Sequence, residues 1–222
     1  MEITNILVTL HLIGFAFGVG GATVSDMIFL RSVRDNRLSQ DKFDLIKTVS
    51  KVVWTSVALL LLSGAALIAL EYQANNGTIP RLDWVFFQIK LTAFAVLVLN
   101  GIVFHSVVFP AMKKTIGREF FSEAIKHRLW MFALTGGISI VSWYSAFLSV
   151  AFGRFLADFS YLLLLNIYLL LIVGAASSAY FVLHMYSRGK ADLVAKFKKL
   201  IFSLAFIALV GFVVYIINDA VS

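Results

Sequence analysis

The sequence contains no cysteine, which excludes disulfide bonds, thiolate metal sites and cysteine catalysis. Charged residues are also scarce, at 14% of the 222 residues, whereas hydrophobic residues make up 60%. Soluble domains of this size carry far more charge, so the composition predicts a polytopic membrane protein. No basic residue precedes the first apolar run. We therefore expect a retained membrane span there and no secretory signal peptide.

Motifs of hydrolytic enzymes are absent as well. The sequence has no nucleophile elbow, no phosphate-cradling glycine loop and no HExxH motif. The glycines of segment 18–21 lie inside an apolar run, so they predict a helix-packing surface and not a nucleotide loop. The sequence leaves open whether the chain is an enzyme.

Six apolar runs are long enough to cross a bilayer, which takes about 20 helical residues. They cover residues 5–30, 52–71, 84–110, 129–152, 160–187 and 200–218. Because the loops are short, the pattern predicts an all-α fold with six transmembrane helices in a single domain over residues 1–222. Ser39 predicts an early start of the second helix, and Pro110 predicts an end or a kink of the third.

Basic residues are concentrated in the loops 31–51, 111–128 and 188–199, which hold 16 of the 19 lysines and arginines. The other two loops hold only Arg81 and Arg154. The positive-inside rule therefore predicts that the three basic loops are cytoplasmic and that both termini lie on the periplasmic side of a cell inner membrane. This distribution explains the net charge of +7, so we expect the lipid bilayer and no nucleic acid as a partner.

The two halves of the chain resemble each other weakly. His11 and His127 are each followed, nine residues later, by a pair of glycines. The segment LLLLSGAA at 59–66 matches LLLIVGAA at 169–176. Three helices in each half would make the repeats inverted across the membrane, a plan common among transporters.

Polar residues inside the apolar runs are the candidate site residues, because a charge in hydrocarbon costs at least about 2.5 kcal/mol. Three of them lie six residues from the outer ends of helices 1, 3 and 5 and predict an outer layer: His11, Lys90 and Asn166. Four lie towards the cytoplasmic side and predict an inner layer: Asp26, His105, His127 and His184.

Histidine is a usual axial ligand of haem iron, and a bis-histidine haem b needs two at similar depth on facing helices. His105 and His184 meet the depth condition and form the predicted axial pair, with His11 and Lys90 as a second site. Asp26 and Lys90 are the candidate catalytic residues, and we expect Asp26 to relay protons or to orient an imidazole. Copper or zinc held by His11, His105 and His184 is the alternative.

The first three helices also carry a family pattern. It combines a leucine–histidine pair, a serine–glycine pair, a lysine between two aliphatic residues and a late histidine: Leu10-His11, Ser63-Gly64, Ile89-Lys90-Leu91 and His105. It resembles the small haem and copper membrane proteins typified by the HemJ-type protoporphyrinogen oxidases and the CopD-type copper-resistance proteins. The resemblance implies that His11 and Lys90 match the family positions associated with haem b and activity. Helices 4 to 6 are more similar to a bacterial six-helix group.

Three functions fit these observations. The leading hypothesis is a haem b protein that transfers electrons within the membrane or acts as an oxidoreductase, with a quinone or another redox partner. The first alternative is a transporter of a small solute or a metal such as copper. The second is a structural subunit of a larger membrane complex. A homo-oligomer is compatible with all three.

Reporter fusions test the topology. A fusion after Leu38 should report the cytoplasm and a fusion after Gly77 the opposite compartment, because the basic residues lie almost entirely on one side. Paired phosphatase and fluorescent reporters measure this directly. A periplasmic signal after Leu38 would show that the predicted orientation is wrong.

Overall fold

The computed structural model describes residues 2–201, 203 and 206, and in this part the chain is all-α. Five helices there are long and apolar enough to cross a membrane: α1 (Glu2–Arg34), α2 (Gln40–Ala74), α3 (Val85–Lys113), α4 (Leu129–Ala151) and α5 (Tyr161–Ser187). Shorter helical segments are Pro80–Asp83, Glu123–Lys126, Gly153–Leu156 and residues 191–201. Across the described residues there is no β-strand, only two isolated bridges between the basic loops.

The predicted all-α membrane fold is confirmed, and five of the six predicted spans coincide with α1 to α5. The sixth, at 200–218, falls almost entirely outside the described residues. The sixth helix, the three-helix repeats and the single domain over the whole chain therefore stay predictions.

Ser39 begins α2, as its position predicted. Its hydroxyl accepts a hydrogen bond of 3.2 Å from the backbone N–H of Lys42, which satisfies one free donor of the first turn. The Lys42 side chain in turn donates to Asp35 at 3.0 Å, and this bond holds the pKa of that carboxyl below its usual range. The second helix thus starts well before the apolar run at 52–71.

Pro110 widens α3 and does not end it. Proline has no N–H and its ring presses on the carbonyl four residues earlier, so a regular α-helical turn is disfavoured there. The segment Phe104–Val108 forms a π-helical turn, in which the Phe109 N–H donates to the Phe104 carbonyl. Such turns are frequent at functional sites. This one carries His105.

Glycines let the helices approach closely in two antiparallel pairs. In the α1–α2 pair, a Cβ atom at Gly21 would lie 2.9 Å from the Val53 side chain. In the α4–α5 pair, a Cβ atom at Gly137 would lie 2.7 Å from the backbone nitrogen of Ala176. In lipid no hydrophobic driving force holds helices together, so they associate through close van der Waals packing, which small residues permit.

The basic loops form a tied cap at one end of the bundle. Asn36 adopts a φ of 47°, and its side-chain oxygen accepts from the Phe121 N–H at 3.0 Å. Its carbonyl accepts from the Phe120 N–H at 2.9 Å. Leu38 and Phe120 are fully buried in this cap. We call this end of the bundle the basic end.

We expect Gly137→Ala to lower the free energy of unfolding by about 1–3 kcal/mol, because its methyl group would overlap the α5 backbone. Thermal unfolding of the purified protein, followed by circular dichroism, measures the change. Gly174→Ala is the matched control, since a Cβ atom there meets no atom within 4 Å. Equal melting temperatures for the two variants would contradict this packing.

Candidate functional site

A cavity of about 120 Å³ lies between α1, α2, α3 and α4, in the half of the bundle nearer the basic end. This volume has room for a few water molecules or a small ligand. The cavity has a polar wall made of hydroxyl, amide, carboxyl and imidazole groups: Ser25, Asp26, Ser50, Asn100, His105, Thr135 and Ser139.

Asp26 is the only acid among the described residues that line the cavity. The four ion pairs found among the described residues use Asp35, Glu71 and Glu123, and Asp26 has no hydrogen-bond or ion-pair partner in that part of the chain. An unpaired carboxyl inside a membrane bundle is costly. Water, a proton or a cation in the cavity would relieve this cost.

His105 shares the cavity wall with Asp26. Its Nε2 lies 2.7 Å from the Ser50 hydroxyl, and its Nδ1 lies 3.2 Å from the Trp54 indole nitrogen and 3.0 Å from the Gly101 carbonyl. An indole N–H only donates and a carbonyl only accepts, so Nδ1 can pair with only one of these two groups at a time. Without a proton Nδ1 accepts from Trp54, and with one it donates to Gly101. The Ser50 hydroxyl can pair with Nε2 in either case.

His11 forms a second polar region, near the end of the bundle where α1 begins. Its Nδ1 lies 2.9 Å from the Ser63 hydroxyl, which donates its single proton to the Leu59 carbonyl at 2.6 Å. His11 therefore donates its Nδ1–H to Ser63 and keeps a lone pair on Nε2. The ring lies over Gly64, where a Cβ atom would be 3.4 Å from the imidazole.

Lys90 lies within electrostatic range of His11 and is half-buried. Arg81 acts on Lys90 with a like charge and is itself paired with Glu71. We call His11, Ser63 and Lys90 the histidine–lysine cluster. The catalytic and cofactor-binding roles assigned to its members stay predictions.

The other histidines lie elsewhere. His184 stacks on Tyr180 of its own helix at 5.8 Å and is not among the cavity-lining residues, and His127 is exposed. Asn166 is also exposed and donates to the Leu162 carbonyl. Over residues 2–201, 203 and 206, no three histidines or carboxylates are grouped to hold a metal. The His105–His184 axial pair and the metal site stay predictions.

An apolar layer separates the cavity from the histidine–lysine cluster. Trp143 of α4 is buried at its centre, and its ring fills the space over Gly18 so fully that a methyl group has no room. Phe15 meets the Trp143 ring edge-on at 6.1 Å and stacks on Phe147 at 5.9 Å. Aliphatic side chains from α2 and α3 complete the layer: Val57, Leu60 and Leu97.

Sequence reasoning missed several residues of this interior. Ser50 and Trp54 escaped notice because hydroxyls and aromatic rings are common in membrane helices, and nothing in the sequence marks their contact with His105. Asn100 could have indicated this interior from the sequence, because an amide inside an apolar run needs a hydrogen-bond partner. It donates to the Thr135 carbonyl at 2.9 Å and so ties α3 to α4 at the cavity.

No protein-family model, curated protein or solved structure matches this chain. The family resemblance over the first three helices therefore stays a prediction. Functional inference depends on the geometry of the cavity and the histidine–lysine cluster.

Proposed function

We propose that this chain is a transport protein that moves protons along the interior of its helix bundle. The observation that carries the proposal is Asp26, a carboxyl without a partner among the described residues, on the wall of a cavity large enough for water. His105 lies on the same wall. Two titratable groups facing one small cavity provide stations between which water can pass a proton.

His105 is the second proposed station of the route. Its Nε2 pairs with the Ser50 hydroxyl, and its Nδ1 has a donor, Trp54, and an acceptor, Gly101, within hydrogen-bond distance. The residue is also exposed at the bundle surface. We place the exit of the proposed route towards the basic end at this residue.

His11 supplies the corresponding station at the other end. Its Nε2 lone pair accepts a proton, because Ser63 fixes the ring with the Nδ1–H as donor. Lys90 is a second titratable group in the same cluster. A proton route thus has stations on both sides of the apolar layer.

Replacing Asp26 by Asn tests this function, because the amide keeps the shape and cannot titrate. The protein is reconstituted in vesicles that contain a pH-sensitive dye, and valinomycin with a potassium gradient sets a membrane potential. Under this potential the wild-type protein should pass protons. We expect Asp26→Asn to slow this flux by about tenfold or more. Asp158→Asn is the control, because Asp158 is exposed in a loop outside the spans. Wild-type flux equal to that of protein-free vesicles would refute the proposal.

Haem b binding at His11 is a second candidate function. Its support is the Nδ1–H···Ser63 bond, since histidines that bind metals donate their other ring N–H to a neighbour and keep one nitrogen free. The positive charge of Lys90 suits a haem propionate. In this arrangement His11 would hold the iron, Ser63 would orient the ring, and the haem would supply electron transfer.

Absorption spectra of protein from haem-supplied cells test this candidate. We expect a Soret band that is lost in His11→Ala and retained in His127→Ala, whose side chain is exposed. The axial pair predicted from the sequence gives the opposite pattern: loss in His184→Ala and retention in His11→Ala. Colourless wild-type protein would remove both ligand hypotheses.

A further inference from the structure

We infer that the Trp143 indole, seated on Gly18, is the gate between the cavity and the histidine–lysine cluster. The inference builds on the proposed proton transport, because it names the element that interrupts the route. A gate keeps the two ends from being connected all the time, which a transporter needs and a simple pore does not.

Three helices of the bundle carry the apolar layer between the same two polar regions. Along α1, Gly18 lies about two turns from His11 and two turns from Asp26. Along α2, Leu60 and Val57 separate Ser63 from Ser50. Along α3, the layer is made by Leu97, between Lys90 and Asn100. On these three helices, apolar side chains thus stand between the cavity and the histidine–lysine cluster.

Trp143 is the side chain that closes this layer. It lines the cavity on one side and contacts Phe15 on the other, so it spans the thickness of the layer. Opposite the ring, Gly18 has no side chain, and the indole occupies that space. Removal or displacement of the indole would leave an opening between α1 and α4.

The contacts of the indole also permit movement. In the described part of the chain its N–H makes no hydrogen bond, so rotation breaks only aromatic and van der Waals contacts. The cavity beside it offers space into which the ring can turn. By contrast, the buried Tyr168 ring is fixed by its hydroxyl, which pairs with Ser142 at 2.8 Å.

Thiol labelling tests the gate without any assumption about protons, because the chain has no cysteine of its own. Single cysteines are introduced as Ser50→Cys, at the cavity, and Ser63→Cys, beyond the layer. A charged, water-soluble thiol reagent is applied to the face of the membrane from which Ser50→Cys reacts. We expect Ser63→Cys to react slowly from this face with Trp143 present, and on the order of tenfold faster in the Trp143→Ala background.

Three further variants control the result. Trp143→Phe keeps a ring in the layer and should stay slow, and Trp130→Ala removes an exposed tryptophan of the same helix and should change nothing. Gly18→Ala displaces the ring without removing it and should also speed labelling, which keeps the test decisive if Trp143→Ala fails to fold.

Equal labelling rates of Ser63→Cys in all backgrounds would overturn the gate. Proton flux measured on the same variants separates the two proposals. Faster labelling in Trp143→Ala without any proton flux would retain the gate and refute proton transport. Proton flux that depends on Asp26, together with labelling that Trp143→Ala does not change, would retain proton transport and refute the gate.

Discussion

The free energy needed to place a polar group inside hydrocarbon governs this structure. Most polar side chains in the spans avoid that cost locally, because their hydroxyls donate to the carbonyl four residues back. Residues that do so include Thr9, Thr23, Ser56, Thr92 and Thr135. Asp26 has no such local solution, and a carboxylate cannot donate to a carbonyl. Its position on a cavity wall follows from this constraint, since water or a cation can only meet the group where there is space.

The two histidine sites meet the same constraint in different ways. At His11 the proton is on Nδ1, because the Ser63 hydroxyl is already committed to Leu59. At His105 the Ser50 hydroxyl lies at Nε2, and both the Trp54 N–H and the Gly101 carbonyl lie at Nδ1. One ring thus presents a free lone pair, and the other has partners at both nitrogens. The neighbours of each ring, and not the residue type, determine which of its nitrogens are paired.

The sequence predicted what depends on composition along the chain. Hydropathy located five spans, and Ser39 marked the start of α2 because its hydroxyl acts within one helical turn. Contacts across the bundle were not predictable, since helices that are apolar all round give no pattern to indicate which face meets which neighbour. Ser50 and His105 are 55 residues apart in sequence, and their contact depends on how α2 and α3 are rotated. The π-helical turn before Pro110 sets part of that rotation, and proline alone does not specify it.

The tied cap at the basic end has a consequence for how the bundle can deform. Among the described residues, the largest cluster of buried hydrophobic side chains lies there, including Leu38, Met112, Phe120 and Ile125. Backbone bonds at Asn36 join the first two basic loops. Core packing of this density resists shear, so the helices behave as rods clamped at one end. We therefore expect the helices to separate more readily around His11 than at the basic end.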